Sequence, residues 1–348
     1  MKRWSGGALI RTIAISIAVW AVIAILCSLV GSSRTLGWPR PFIVVDEQGH
    51  HSLNQILGIR FGMILLASLI GAALGSAGVV YQAILRNPLA DPYLLGVSSG
   101  ASLFAFVWRL PRQIAFATKV IVALGQQASS FLGAIISVGT VLLLARKRGR
   151  LEPVTLLLVG VIVNAINAAI FLLIYSLFPE GAAATGSAFG FLVGGIQTNL
   201  TFAQEAFAAI VFLIGWLVLI YLSGQLNAAM LSEAEAESLG VSIQRVRWTA
   251  LIVASIVTAA AVAVSGPIGF VGLICPHLTR MIVGQDQRRL LPASTAAGAA
   301  LLAIADAATR LLSGAKFVNT FLPVGVLTAL LGGPFFLFLL WRNRRQLQ

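Results

Sequence analysis

The stretch RNPLADPYLLGVSSGASL, residues 86–103, decides how this chain is read. It lies between two long apolar runs and carries two prolines, an aspartate and a glycine–serine cluster. Pro88 and Pro92 each remove a backbone donor and bias the residue before them away from helix. The chain therefore cannot pass through 86–92 as one continuous helix. In a water-soluble protein this would be an ordinary surface turn, so what surrounds it matters.

The surroundings are hydrocarbon. Of 348 residues, 58% are hydrophobic and 10% charged, against about 25% charged in a soluble domain. Mean hydropathy is +0.94. This composition excludes an ordinary soluble domain. A bilayer-spanning helix needs about 20 mostly apolar residues, because lipid offers backbone groups no water partner. Ten such runs occur, near 10–30, 60–85, 93–109, 123–145, 153–178, 202–222, 248–265, 268–284, 293–312 and 323–341. We read a single all-α polytopic membrane domain over 1–348. The run from Ile13 to Val30 exceeds the h-region of about 7–15 residues of a signal peptide and lacks an A-x-A site, so it is expected to be an uncleaved first span.

Ten crossings place both termini on one side. The net charge of +13 sits at the ends of the apolar runs, as a positive-inside bias requires, and not on a soluble nucleic-acid face. Sixteen of the 24 Lys and Arg residues fall on the side of the termini, with ARKRGR (145–150) and WRNRRQ (341–346) the densest clusters. The expected orientation is both termini cytoplasmic. Cys27 and Cys275 have no metal-binding or disulfide spacing and read as small buried hydrophobes. Gly71, Gly75 and Gly78 have the spacing that lets helix backbones approach closely in lipid.

In this topology the 86–92 break lies at the cytoplasmic end of the second run. Asp91 needs protein or water around it, since a mid-bilayer charge costs at least about 2.5–3.5 kcal/mol. Two readings stay open, the mouth of a path or a plain cytoplasmic turn. GVSSG (96–100) matches a nucleophile elbow, but that motif needs a strand before it and a partnered histidine. Neither is in evidence, so these are small residues opening the third helix.

A second break, SGPIGFVGLICPHLTR (265–280), repeats the idea, with Gly266-Pro267 expected to turn on the outer side and Pro276 to kink the eighth helix. Between the sixth and seventh runs, 228–247 forms a polar loop. Ser232 and Glu235 make a capping box, Gly240 suits a helix C-terminus, and Ser242 is placed to start a second short helix. Glu233, Glu235 and Glu237 come first and Arg245 later, a capped knob suited to docking a cytoplasmic partner. In the fifth run Gly160, Asn164, Asn167 and Phe171 share one face. The asparagines read either as interhelical glue or as path lining. Asp306 and Arg310, at i, i+4, are expected to pair.

Together these residues resemble the FecCD/BtuC-type permeases of bacterial ABC importers, which carry iron–siderophore complexes, haem or cobalamin. The resemblance covers nearly the whole chain and is most specific at NPLADPYLLGVSSGAS (87–102), LSEAEAESLGVSIQRVR (231–247), GPIGFVGLICPHLTR (266–280) and LPVGVLTALLGGPFFLFLL (322–340). It implies about ten helices per subunit and a dimer with the path at its interface. It also implies two cytoplasmic ATPase subunits holding ATP and Mg, and a periplasmic or lipid-anchored binding protein. No cofactor is implied on this chain. By the same resemblance, Asn87 and Leu89 narrow the cytoplasmic end of the path and the fifth helix lines it. Ser232, Glu233, Glu235, Glu237, Leu239, Gly240 and Arg245 belong to the ATPase coupling element. Arg60 and Arg310 match outer-surface arginines that meet the binding protein. The family often has a second arginine three residues after the first, where this chain has Met63, which leaves more of the docking to Arg112 or Lys119.

The sequence contains no Gly-Lys and so no Walker A motif, and any ATP hydrolysis belongs to a partner. The competing class is a self-sufficient secondary transporter with broken helices. Its coupling sites would have to be Asp91, Glu205 or Asp306.

Overall fold

The computed structural model describes residues 6–30, 43–45, 51–53, 55–110, 116–147, 150–178, 191, 193–197, 200–230, 242–313 and 322–344. Among them are ten α-helices, one for each apolar run. They are α1 (Gly6–Ser28), α2 (Gln55–Ile84), α3 (Val97–Arg109), α4 (Phe116–Leu144), α5 (Pro153–Leu177), α6 (Phe202–Ala229), α7 (Ile243–Ser265), α8 (Val271–Val283), α9 (Gln287–Ser313) and α10 (Val324–Arg344). Two small antiparallel strand pairs occur among the described residues. Ile43–Val45 pairs with His51–Leu53, and Arg146–Lys147 with Arg150–Leu151, inside the basic cluster after α4.

Seven of the helices are long and apolar enough to cross a bilayer. The other three include α3 and α8, of 13 residues each. Thirteen residues rise roughly 20 Å, well short of a hydrocarbon core of about 30 Å. The irregular segment preceding each of these helices completes its passage.

Helix α2 is the axis of the bundle, with 89% of its apolar window buried. Its glycines explain the packing. Gly71 and Gly75 lie against Gly298 and Ser294 of α9, and Ser294 Oγ donates to the Gly75 carbonyl at 2.9 Å. Gly78 lies against Gly272 of α8. Next to it, Tyr81 is fully buried and its hydroxyl shares a 2.7 Å hydrogen bond with Ser255 of α7. Small residues bring the backbones together where no hydrophobic driving force between helices exists. Gly100 and Gly133 do the same for α3 and α4. Cys27 and Cys275 are buried and free, as expected.

Ser242 directly precedes α7, which runs unbroken from Ile243 to Ser265. The second short helix expected after Ser242 is therefore the first turn of α7 itself. Nothing in the sequence QRVRW (244–248) interrupts a helix.

A Cβ at Gly298 would strike the Gly71 backbone, whereas Gly62, on the exposed side of α2, has no atom within 4 Å of its Cβ position. Gly298→Ala is expected to lower the thermal midpoint in detergent, at a cost of about 1–3 kcal/mol from overpacking. Gly62→Ala is expected to leave it unchanged or raise it.

Candidate functional site: two helix breaks joined inside the bundle

The first break starts as α2 ends. Arg86 takes a positive φ of 49°. The Asn87 side-chain oxygen then accepts the Leu89 amide at 2.9 Å, closing an Asx turn, and the Ala90 amide bonds the Asn87 carbonyl at 3.1 Å. Asn87 and Leu89 are half-buried. From Asp91 the chain turns into a 3₁₀ helix, Pro92–Leu95, whose N-terminus the Asp91 carboxylate caps by accepting the Tyr93 amide at 2.9 Å. Gly96 ends it with φ 82°, a left-handed conformation that costs glycine nothing, and α3 begins at once.

The second break meets the first. The Ile268 amide donates to the Tyr93 hydroxyl at 2.9 Å. The Phe270 amide donates to the Asp91 carboxylate. Pro92 packs against Gly272. Phe270 has φ 69°, unusual for a residue with a Cβ. It holds this conformation at the N-terminus of α8, its ring against Gly332 of α10 and its carbonyl accepting the Leu273 and Ile274 amides at 3.1 and 2.8 Å. On the other side the segment 193–197 closes over the break, with Gly195 N donating to Ser265 O at 2.9 Å and Gly325 N to Gly194 O at 2.8 Å.

This corrects the expectation that Gly266-Pro267 is an outer turn. The two breaks, assigned by sequence to opposite ends of the bundle, are in contact. The cause is the shortness of α3 and α8, since each break dips into the bundle to supply the rise its helix lacks. It also decides against a plain surface turn at 86–96, since Ala90, Pro92, Leu95 and Gly96 are buried.

Helix α5 closes the site from the side. Gly160 lets the Leu94 carbonyl lie against its backbone. Asn164 Nδ2 donates to the Tyr93 carbonyl at 3.2 Å, and Asn167 Nδ2 donates to Ser99 Oγ at 2.9 Å and Ser137 Oγ at 3.0 Å. The Phe171 ring lies tilted against that of Phe106, ring centroids 4.8 Å apart. All four residues face α3, α4 and the 3₁₀ turn. The two asparagines are interhelical glue here, and the opposite face of α5, with Val161, Ile162 and Ile166, is the exposed one.

Arg60 and Arg310 are brought together, and both are buried, at 7% and 3% exposure. Arg310 forms the expected pair with Asp306 at 2.9 Å. Its Nη1 donates to the Val30 carbonyl at 3.1 Å, while Arg60 Nη1 reaches the Ser28 carbonyl at 3.5 Å. A docking surface needs exposed guanidiniums. Here Arg310 is paired with Asp306 and the Val30 carbonyl just past α1, and Arg60 lies against the Ser28 carbonyl at the end of α1. Arg112 lies outside the described residues. So do Ser232, Glu233, Glu235, Glu237, Leu239 and Gly240 of the polar knob, while Arg245 is exposed in the first turn of α7.

Sequence reasoning missed Tyr93, Phe270 and Gly332. Tyr93 carried a signal, since a tyrosine beside an intramembrane helix break is a candidate acceptor for freed amides. Phe270 carried none, because its positive φ is imposed by contacts distant in sequence.

Tyr93→Phe leaves the Ile268 amide without its acceptor and is expected to cost about 1–3 kcal/mol. Asp91→Ala is expected to cost more than Asp91→Asn, which keeps an oxygen for capping. Thermal midpoints in a lipid nanodisc check both, and equal midpoints for the two Asp91 variants would count against the capping role.

The fold agrees with what the chain is similar to. It is 40% identical over 284 residues to the cobalamin import system permease protein BtuC of Halobacterium salinarum, covering 81% of this chain and 72% of that one. It is 36% identical to the hemin transport system permease protein HmuU of Yersinia pestis, over 83% and 84% of the two chains. A solved structure of an inward-facing metal-chelate type ABC transporter superposes with a TM-score of 0.76 at 27% identity, covering 96% of this chain and 99% of that one. The family model matching residues 19–342, from within α1 to the last turn of α10, is that of the FecCD transport family, and the chain belongs to it.

Proposed function

We propose that this chain is the membrane-spanning permease subunit of an ATP-driven importer in a bacterial cytoplasmic membrane, with both termini on the cytoplasmic side. Its cargo is a bulky metal chelate, a ferric siderophore first and then haem or cobalamin. The observation that carries this reading is the extent of the family match, residues 19–342, in a sequence with no nucleotide-binding motif of its own. Transport energy then comes from two partner ATPases, which hold ATP and Mg, and cargo comes from a binding protein outside. A second copy of the chain completes the path.

In this reading the 231–247 knob, Arg245 included, enters the ATPase. Asn87 and Leu89 stand at the cytoplasmic end of the path on the Asx turn. The inward face of α5 is used for packing, so its exposed face, with Val161, Ile162 and Ile166, turns to the path and the second copy. The arginines at the outer end of α1 are structural, and binding-protein contacts come from other outer residues. A self-sufficient secondary transporter loses two of its three candidate coupling sites, because the Asp306 carboxylate is committed to Arg310 and that of Asp91 to backbone amides, which leaves Glu205 alone.

The test is to express the tagged chain with its ATPase and identify what co-purifies in mild detergent. A stoichiometric ATPase is expected, and changing Glu233, Glu235 and Glu237 to Lys is expected to remove it. A lone chain with the ATPase demonstrably present would contradict the reading.

Asn87→Arg adds a cation and removes the turn's acceptor, whereas Asn87→Asp keeps an acceptor. Uptake of labelled chelate is expected to fall to background in the first variant, with ATPase co-purification intact, and to survive in part in the second. Normal uptake by Asn87→Arg would remove this residue from the gate.

A further inference from the structure

A cavity of about 290 Å³ lies between α1, α2, α6 and α9, away from the joined breaks. Its walls include Ser16, Ile17 and Trp20 of α1, Leu65 of α2, Trp216 of α6 and Ala296 of α9. It is about twice the size of an apolar cavity of roughly 150 Å³ that holds benzene. All four helices are among the seven of membrane-spanning length, and Trp20 and Trp216 sit near the middle of the spans Leu9–Ser28 and Phe202–Ala228.

Two observations say what can fill it. The first is the two tryptophans. Indoles in membrane proteins usually collect at the interfaces, where the N–H finds water or headgroups. Here both are at mid-span, and each N–H is bonded to a neighbouring helix, Trp20 to Ser68 Oγ and Trp216 to Thr295 Oγ1, both at 2.9 Å. Their polar ends are satisfied within the protein, so the rings serve as apolar wall. A water in the cavity would find these donors already used, and a buried water needs two to four polar partners. The second is the rim. Ile17 and Leu65 line the cavity and are also exposed, at 55% and 58%. The cavity therefore opens sideways, at the depth where the surrounding medium is hydrocarbon.

We propose that this cavity is a binding site for one acyl chain of a membrane lipid, entering from the bilayer past Ile17 and Leu65. The chain wedges between α1 and the α2–α9 core. It adds apolar contact beside the Trp20–Ser68 hydrogen bond that ties the middle of α1 to α2.

The test is tryptophan emission from the full-length protein in phosphatidylcholine vesicles with bromine at the middle of the acyl chains. Trp20→Phe and Trp216→Phe identify the cavity's share of the emission. That share is expected to be strongly quenched in the parent protein. Ala296→Leu from one wall and Ser16→Leu from the opposite wall are each expected to remove most of the quenching while leaving that of the other tryptophans unchanged. Unquenched cavity emission in the parent would overturn the proposal, because another polypeptide, such as a second copy, would then cover the opening. Equal quenching in the parent and both filled variants would also overturn it, since the rings would then be sensing bulk lipid only.

Discussion

The contact between Asp91 and Tyr93 on one side and the amides of Phe270 and Ile268 on the other is the constraint on which the rest of the structure depends. Within lipid, every unpaired backbone group costs several kcal/mol, so irregular backbone survives only where protein satisfies it. Two helices of this bundle start short, and each leaves free amides at its N-terminus. The two breaks satisfy one another, with one carboxylate and one phenol serving amides from both. Once they are joined, the positions of α3 and α8 follow. So do the glycines that flank them, since Gly78 must admit Gly272 and Gly160 must admit the Leu94 carbonyl.

The same constraint links fold to function. Transporters with discontinuous helices place their irregular backbone where a path must be lined and opened. Here that backbone is rigidly capped on the bundle side, and the Asx turn at Asn87 projects from its end. In the permease reading proposed above, this short, separately closed turn is the part of the break that serves as the gate. Helix α5 has the matching two-sidedness, with one face bonded to the first break through Asn164 and to α3 and α4 through Asn167, and the other face open.

Much of this was legible in the sequence. All ten helices appeared as apolar runs, because hydrocarbon length is a strict requirement and composition reports it directly. The prolines and glycines at 88–96 and 266–267 located both breaks. The sequence did not reveal that they touch, because a run of apolar residues does not say how deep its first turn starts. Residues 93–109 look like a full crossing, yet the helix begins only at Val97. Gly160, Asn164, Asn167 and Phe171 read as one face of α5, but asparagines suit glue and lining equally, and their spacing does not say which helices they bond. Arg60 and Arg310 show the same limit. The resemblance implies arginines that face outward, whereas here both are buried and Arg310 is paired with Asp306.

Hydrogen exchange of the intact protein in lipid nanodiscs tests the joined breaks most directly. Peptides covering 90–97 and 266–274 should exchange as slowly as the middle of α2, because the amides of Tyr93, Ile268 and Phe270 are paired inside the bundle. Exchange as fast as that of a surface loop in either peptide would contradict it and return both segments to independent turns at opposite faces of the membrane.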